Sequence, residues 1–265
     1  MRRFHLFEWE DQPWLPRVFR DFMTDQLRYT SNEAMRTPVN EAIAARLKTL
    51  LDATGSRSIV DLGAGAGGPL VAITKILSDN LQCDVDVLLT DFYPNATAFA
   101  EIARQSAGRI RSRLESTDAL DVPGELRGVR TLFAAFHHFR PEMARRILED
   151  AVRKRAPIAI FEPLERTPRM LALLGIGSFV RGFTHTPRVG PLTPLRFLVT
   201  YVIPLAPALF AWDGMVSVLR SYTPDELLGL ATTTAAANYR WDAGRFEVDG
   251  PYGLMPTTFL IGTPV

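Results

Sequence analysis

The sequence predicts an α/β fold: a mostly parallel, seven-stranded sheet with helices on both faces and an antiparallel hairpin at its C-terminal end. Three observations carry this. Short apolar runs alternate with amphipathic segments between residues 58 and 161, the pattern of a parallel sheet covered on both sides. The first run opens into a glycine-rich turn, Gly63-Ala64-Gly65-Ala66-Gly67-Gly68, where glycine lets the backbone leave a strand sharply. Two β-like runs, 239–248 and 257–262, close the chain and read as a hairpin.

The elements follow in order. Leu15, Val18, Phe19, Phe22 and Leu27 are spaced as one face of a helix. Thr37 and Pro38 form an N-cap and first-turn proline for a second helix, which runs to about Ala53 and ends at Gly55. Strands are expected at 58–62, 85–90, 111–115, 129–136 and 157–161, and helices at 69–77, 94–107 and 141–152. A last helix runs from Pro224 to about Ala236. The chain is read as one domain in four parts. Residues 1–55 form an N-terminal helical lid, 56–162 a cofactor-binding core, 163–222 a cap insertion, and 223–265 the last helix and hairpin.

Composition narrows the class. The chain has 265 residues, 47% of them hydrophobic and 22% charged, with a formal net charge of +1. That is ordinary globular usage, and nothing in the charge points to nucleic acid. The single cysteine, Cys83, cannot form an internal disulfide, which suits a reducing, cytoplasmic setting. The N-terminus lacks the apolar core of about 7–15 residues that a secretory signal needs.

Residues 163–222 interrupt the strand–helix rhythm with seven prolines. That density argues against one long regular helix. Residues 195–212 approach the ~20 apolar residues of a membrane span but contain Arg196, Pro204 and Pro207. The expected reading is a cap that closes over a ligand and packs against the N-terminal aromatics, with membrane contact as the lesser alternative. Gly175, Gly177, Gly182 and Gly190 are its expected flexible points.

Gly63, Gly65 and Gly68 satisfy G-x-G-x-x-G. Both a nicotinamide dinucleotide and S-adenosylmethionine use such a turn at a helix N-terminus. Asp61, two residues before the first glycine, favours the second. An acid there suits a cationic amino group and has no role beside an anionic pyrophosphate.

The stretch Ile59-Val60-Asp61-Leu62-Gly63-Ala64-Gly65-Ala66-Gly67 resembles the first motif of class I S-adenosylmethionine-dependent methyltransferases, whose sheet is Rossmann-like. Val87-Leu88-Leu89-Thr90-Asp91-Phe92 resembles their second motif and Ser116-Thr117-Asp118-Ala119 their third. Phe136-His137-His138-Phe139 is similar to the segment after their fourth strand, and Ser221 to Leu227 to the start of a late helix. The resemblance covers about residues 57–262. It implies S-adenosylmethionine as cofactor and a small-molecule acceptor. By position, Gly63, Ala64, Gly65 and Gly67 would border the methionine part, with Asp61 near its amino group. Asp91 would take the ribose hydroxyls and Phe92 the adenine face. Asp118 would receive the adenine amino group, with the Ala119 N–H nearby, and Phe136 would lie close by. Two departures stand out: Pro69 just inside the helix after Gly68, and a cap far longer than the usual connection of about 2–6 residues.

Methyl transfer to a neutral hydroxyl or a protonated amine also needs a proton acceptor. His137 and His138 are candidates, with one of the two expected to face the acceptor because successive residues alternate. His185 in the cap and Glu162 at the end of the fifth strand are further candidates. Trp212, Asp213 and Arg220 could line the acceptor pocket, or Asp213 and Arg220 could form a helix-end ion pair. No metal site is expected, since the chain has one Cys and no His pair at ligand spacing. The expected partners are a small acceptor and, at most, a second copy in a homodimer. The competing readings are a nicotinamide oxidoreductase, a cofactor-binding relative without methyl transfer, and a methyltransferase acting on a membrane-soluble quinone or lipid.

Overall fold

The computed structural model describes all residues except 13, 33–36, 235–236 and 251–252. In chain order the elements are α1 (Arg17–Asn32), α2 (Thr37–Thr54), β1 (Ser58–Leu62), α3 (Leu70–Asp79), β2 (Asp86–Thr90), α4 (Ala96–Gln105), β3 (Ile110–Ser112) and β4 (Val129–Phe133). There follow α5 (Pro141–Arg153), β5 (Ile158–Glu162), α6 (Pro168–His185), α7 (Pro194–Phe197), α8 (Leu205–Arg220), α9 (Pro224–Thr232), β6 (Tyr239–Gly250) and β7 (Gly253–Pro264). The chain forms two compact units. One is Met1–Ser31 with Leu164–Tyr222, and the other is Asn32–Pro163 with Thr223–Val265.

The larger unit holds a seven-stranded sheet of order β3-β2-β1-β4-β5-β7-β6. The first five strands pair in parallel, and β7 enters antiparallel between β5 and β6. The order reverses at β1 and β4, a topological switch point of the kind where α/β sheets bind ligands beyond their strand C-termini. Ile59, Val87, Leu89, Val129, Ala159 and Phe161 form the buried strand core with α2 and α3.

The expected sheet, hairpin and helices are present, with local differences. β3 starts and ends earlier than the expected 111–115. It is an edge strand that pairs only with β2, and after Ser112 the chain turns so that the Thr117 N–H reaches the Asp91 carbonyl at 2.9 Å. β4 stops at Phe133 rather than 136. Ala134 takes a left-handed φ of 49°, and Phe136–His138 forms a 3₁₀ turn. β6 and β7 extend beyond 239–248 and 257–262, because their ladder continues to the Gly250–Gly253 pair. The last helix ends at Thr232; the expected end, Ala236, lies outside the described residues. Its start carries a capping box between Thr223 and Glu226. α2 begins at Thr37 itself, and Gly55 ends it at φ 64°.

The smaller unit is helical. Phe22 and Met23 of α1 pack with Leu15 and with Ala206, Leu209 and Phe210 of α8. Proline density does not prevent helices here, because Pro168 and Pro194 stand at first-turn positions, where the missing N–H costs nothing. The cap glycines are not all flexible points. A Cβ on Gly175 would meet Met215 Sδ at 2.9 Å, and one on Gly182 would meet Pro207 Cβ at 2.8 Å. These two glycines let α6 and α8 pack closely. The cap and the N-terminal segment pack together as expected: Phe22 meets Phe210 edge-on with ring centroids 6.4 Å apart, and Trp212 Nε1 donates to the Phe7 carbonyl at 3.1 Å.

Candidate active site

The glycine turn is built by backbone geometry. Gly63, Gly65, Gly67 and Gly68 all have positive φ, between 47° and 89°, a region that costs other L-residues about 1–2 kcal/mol. Gly67 is constrained twice, since a Cβ there would sit 2.1 Å from Ile102 Cδ1. Gly67→Ala should therefore lower stability by about 2–4 kcal/mol, from the left-handed φ and the overpacking together. Urea denaturation of Gly67→Ala alone and in an Ile102→Val background checks this. The two changes should be less than additive. Strict additivity would mean that the Ile102 contact contributes nothing. A Cβ on Gly65, by contrast, would meet nothing within 4 Å, so the backbone there faces open space.

Asp91 follows directly on β2. Its Oδ2 accepts from the Gly65 N–H and its Oδ1 from the Tyr93 N–H, both at 2.8 Å. The carboxylate thus ties the glycine turn to the end of β2, and each oxygen keeps a second lone pair for a ligand hydroxyl. Phe92 and Tyr93 are exposed, with their rings edge-to-face at 4.8 Å. Ser116 Oγ donates to the Phe92 carbonyl at 2.7 Å, which joins the segment after β3 to the segment after β2. Asp118 is exposed and accepts from the Leu120 N–H at 2.9 Å, while Ala119 is buried.

Asp61 sits inside β1, buried. Thr131 Oγ1 of β4 donates to its Oδ1 at 2.6 Å, and Thr90 Oγ1 of β2 donates to its carbonyl at 2.7 Å. Burial, offset in part by the Thr131 bond, pushes the carboxyl up to about 8. Thr131 and Thr90 escaped the sequence reading. The available signal was a buried hydroxyl at the centre of β4 and another at the last residue of β2.

A raised carboxyl pKa gives a definite sign. Between the unfolded value near 4 and the folded value about 8, the folded state holds the extra proton, so stability falls as pH rises. Asp61→Asn keeps the acceptor for Thr131 and carries no charge. It should match the wild type near pH 4 and be clearly more stable near pH 9. Chemical denaturation of both proteins at the two pH values measures this. A gap that does not widen with pH would show that Asp61 is not held uncharged.

His137 and Glu162 meet in the same unit. The 3₁₀ turn after β4 points the Phe136 and His137 N–H groups at Glu162 Oε1, at 2.6 and 3.2 Å, while His137 Nδ1 lies 2.7 Å from Oε2. All three residues are buried. An ionised Glu162 accepting at Oε2 requires a proton on Nδ1, which makes Nε2 the basic nitrogen of the ring. The expected alternation of the two histidines fails. They lie in a 3₁₀ turn rather than a strand, and their rings are 4.3 Å apart.

The remaining candidates belong to the smaller unit. His185, at the end of α6, is buried with its ring 4.9 Å from that of Tyr29. Asp213 and Arg220 do not pair with each other. They lie seven residues apart on α8, and each binds the N-terminal segment instead. Asp213 accepts from the Trp9 and Glu10 N–H groups at 2.8 and 2.9 Å. Burial outweighs those bonds and pushes its carboxyl up to about 6. Arg220 Nη1 reaches Glu8 and Asp11 at 2.9 and 2.8 Å, and its Nε donates to the Leu6 carbonyl. Trp212 packs on Phe7 at 5.6 Å.

Strand order, the glycine turn after β1, the acid after β2 and the C-terminal hairpin together define the class I methyltransferase fold. Among solved structures, the chain is similar to "the plantazolicin methyltransferase BpumL in complex with SAH", with a TM-score of 0.54 and 16% identity, over 96% of this chain and 92% of that one. A second structure of that enzyme, "in complex with triazolic desmethylPZN analog and SAH", matches with the same TM-score and identity over 96% and 93% of the two chains. No protein-family model matches the sequence. No curated protein matches it either.

Proposed function

We propose that the protein transfers the methyl group of S-adenosylmethionine to an oxygen or nitrogen of a small, fairly apolar acceptor. The observation that carries this is the Asp91 carboxylate at the end of β2, fastened to the Gly65 N–H of a glycine turn that is open to a ligand. BpumL has the same fold and was solved with SAH and with a small-molecule analogue, which supports the reading.

The residues present fit the cofactor. Gly63, Ala64, Gly65 and Gly67 would line its methionine part with backbone. Asp61 would face the amino group; a cation there would draw the proton off a carboxyl that is otherwise uncharged up to about pH 8. Asp91 would accept from the ribose hydroxyls. Phe92 would cover the adenine, and Asp118 would accept from the adenine amino group, with the Ala119 N–H and Phe136 nearby. When bound, S-adenosylmethionine supplies an electrophilic methyl on a sulfonium.

The chain's own contribution is orientation and proton acceptance. Glu162 holds the 3₁₀ turn through two backbone N–H groups and fixes the ring of His137 through Nδ1. His137 Nε2 would take the proton from the acceptor's hydroxyl or ammonium. Glu162 is then a positioning residue rather than the base. Incubating the protein with methyl-labelled S-adenosylmethionine and a panel of phenols, heteroaromatics and amines tests the function. Labelled product with equimolar S-adenosylhomocysteine is expected from at least one apolar member. Cofactor binding without label transfer to any acceptor class would favour a non-catalytic relative.

A further inference from the structure

We propose that the smaller unit carries a docking surface for an anionic lipid bilayer, formed by residues 191–205 and the adjoining face of α6. This inference goes beyond methyl transfer and does not rest on it.

The segment has inverted polarity. Its apolar side chains Leu192, Leu195, Phe197, Leu198, Val202 and Ile203 are exposed, while the polar Arg196 and Thr200 between them are buried. Arg196 turns inward to Asp25 at 2.7 Å and lies over the Phe22 ring. The polar side of α7 and of the π-helical turn at Leu198–Val202 is therefore anchored to α1, and the apolar side faces out. The surface continues onto α6. The Phe197 ring meets Tyr201 at 5.3 Å, Tyr201 meets Phe183 at 6.0 Å, and Phe183 meets Phe179 at 5.2 Å. Phe179, Val180 and Ile176 are exposed beside it. A continuous apolar surface of this kind is rare on a protein that meets only water.

Charge selects the occupant. Residues 166–212 contain five arginines and no aspartate or glutamate; Arg166 and Arg196 of these are buried, and Arg196 pairs with Asp25. Arg188 and Arg169 are exposed, and Arg188 is three residues from the start of the apolar segment. An apolar face with exposed Arg188 at its start and no carboxylate of its own suits anionic headgroups over acyl chains. A second copy suits it less, because a two-fold contact would set this surface, with its exposed Arg188 and no carboxylate of its own, against itself.

The geometry favours lying on the bilayer rather than crossing it. No single described helix is long and apolar enough to span. The pair Pro194–Val202 and Leu205–Arg220 passes that test only together and is bent by 67°. The second member is also committed to the core, through Leu209 and Phe210 and through the Asp213 and Arg220 bonds.

Co-sedimentation of the protein with vesicles tests the proposal. Vesicles of phosphatidylglycerol mixed with phosphatidylcholine should bind it about tenfold more strongly than pure phosphatidylcholine, and added salt should remove most of the difference. The double variant Leu195→Glu with Ile203→Glu should lose about tenfold or more of the binding, and Arg188→Glu about fivefold, at unchanged melting temperature. If the glutamate pair melts early, Leu192→Ser with Val202→Ser replaces it and should show the same loss. The proposal is overturned if the wild type stays in the supernatant with anionic vesicles, or if folded variants bind as well as the wild type. A dimer in sedimentation velocity that these variants split, with no vesicle binding, overturns it in favour of a contact between copies.

Discussion

His137→Ala is expected to lower turnover by ~10²-fold or more, the usual cost of losing a general base, while S-adenosylhomocysteine binds as it does to the wild type. The reason is specific. His137 Nδ1 is held by a fully buried Glu162 at 2.7 Å, and the same carboxylate is fixed by two backbone N–H groups. Glu162→Gln keeps the size and one acceptor but offers an amide N–H₂ to Nδ1. That favours the tautomer with the proton on Nε2, which cannot accept another. Glu162→Gln should therefore cost a large part of what His137→Ala costs, and the double variant little more than the worse single, as for residues that act as one unit. A purely structural Glu162 would instead lower the melting temperature and leave the pH profile of the residual turnover unchanged. If His137→Ala keeps its turnover, His138 is the next base to test, with its ring only 4.3 Å away.

Asp91→Ala is expected to weaken S-adenosylhomocysteine binding by about 10- to 100-fold, equivalent to about 1.4–2.7 kcal/mol. Two losses combine: the acceptor oxygens for a ribose, and the bond to the Gly65 N–H that sets the glycine turn. Asp91→Asn retains one acceptor and should fall between the wild type and alanine. Calorimetric titration of the three proteins gives the order directly. Equal affinities across the three would remove Asp91 from the cofactor site.

How much of this was legible in the sequence varies with the physics involved. Strands that are buried on both faces, such as β1 and β5, carry their own signal as apolar runs, and positive-φ glycines announce the turn after β1. The roles that depend on a partner distant in sequence were not legible. Asp61 was readable as an acid near the turn, but its burial against Thr131, 70 residues away, was not. His137 and Glu162 were both readable as polar residues at strand ends, and only the fold makes them a pair. The same limit applies to Asp213 and Arg220, for which a helix-end ion pair was one of two expectations. Each side chain instead reaches back more than 200 residues to the N-terminal segment. β4 was overextended because a capture of backbone N–H groups by Glu162 leaves no trace in local composition.

The central claim is that the Gly65–Asp91 cradle takes S-adenosylmethionine rather than a nicotinamide dinucleotide. Calorimetric titration of the wild-type protein with S-adenosylhomocysteine and, separately, with NADH tests it most directly. Saturable one-to-one binding of S-adenosylhomocysteine, weakened in Asp91→Ala, is expected, with no binding of NADH. Tight binding of NADH with no response to S-adenosylhomocysteine would contradict it.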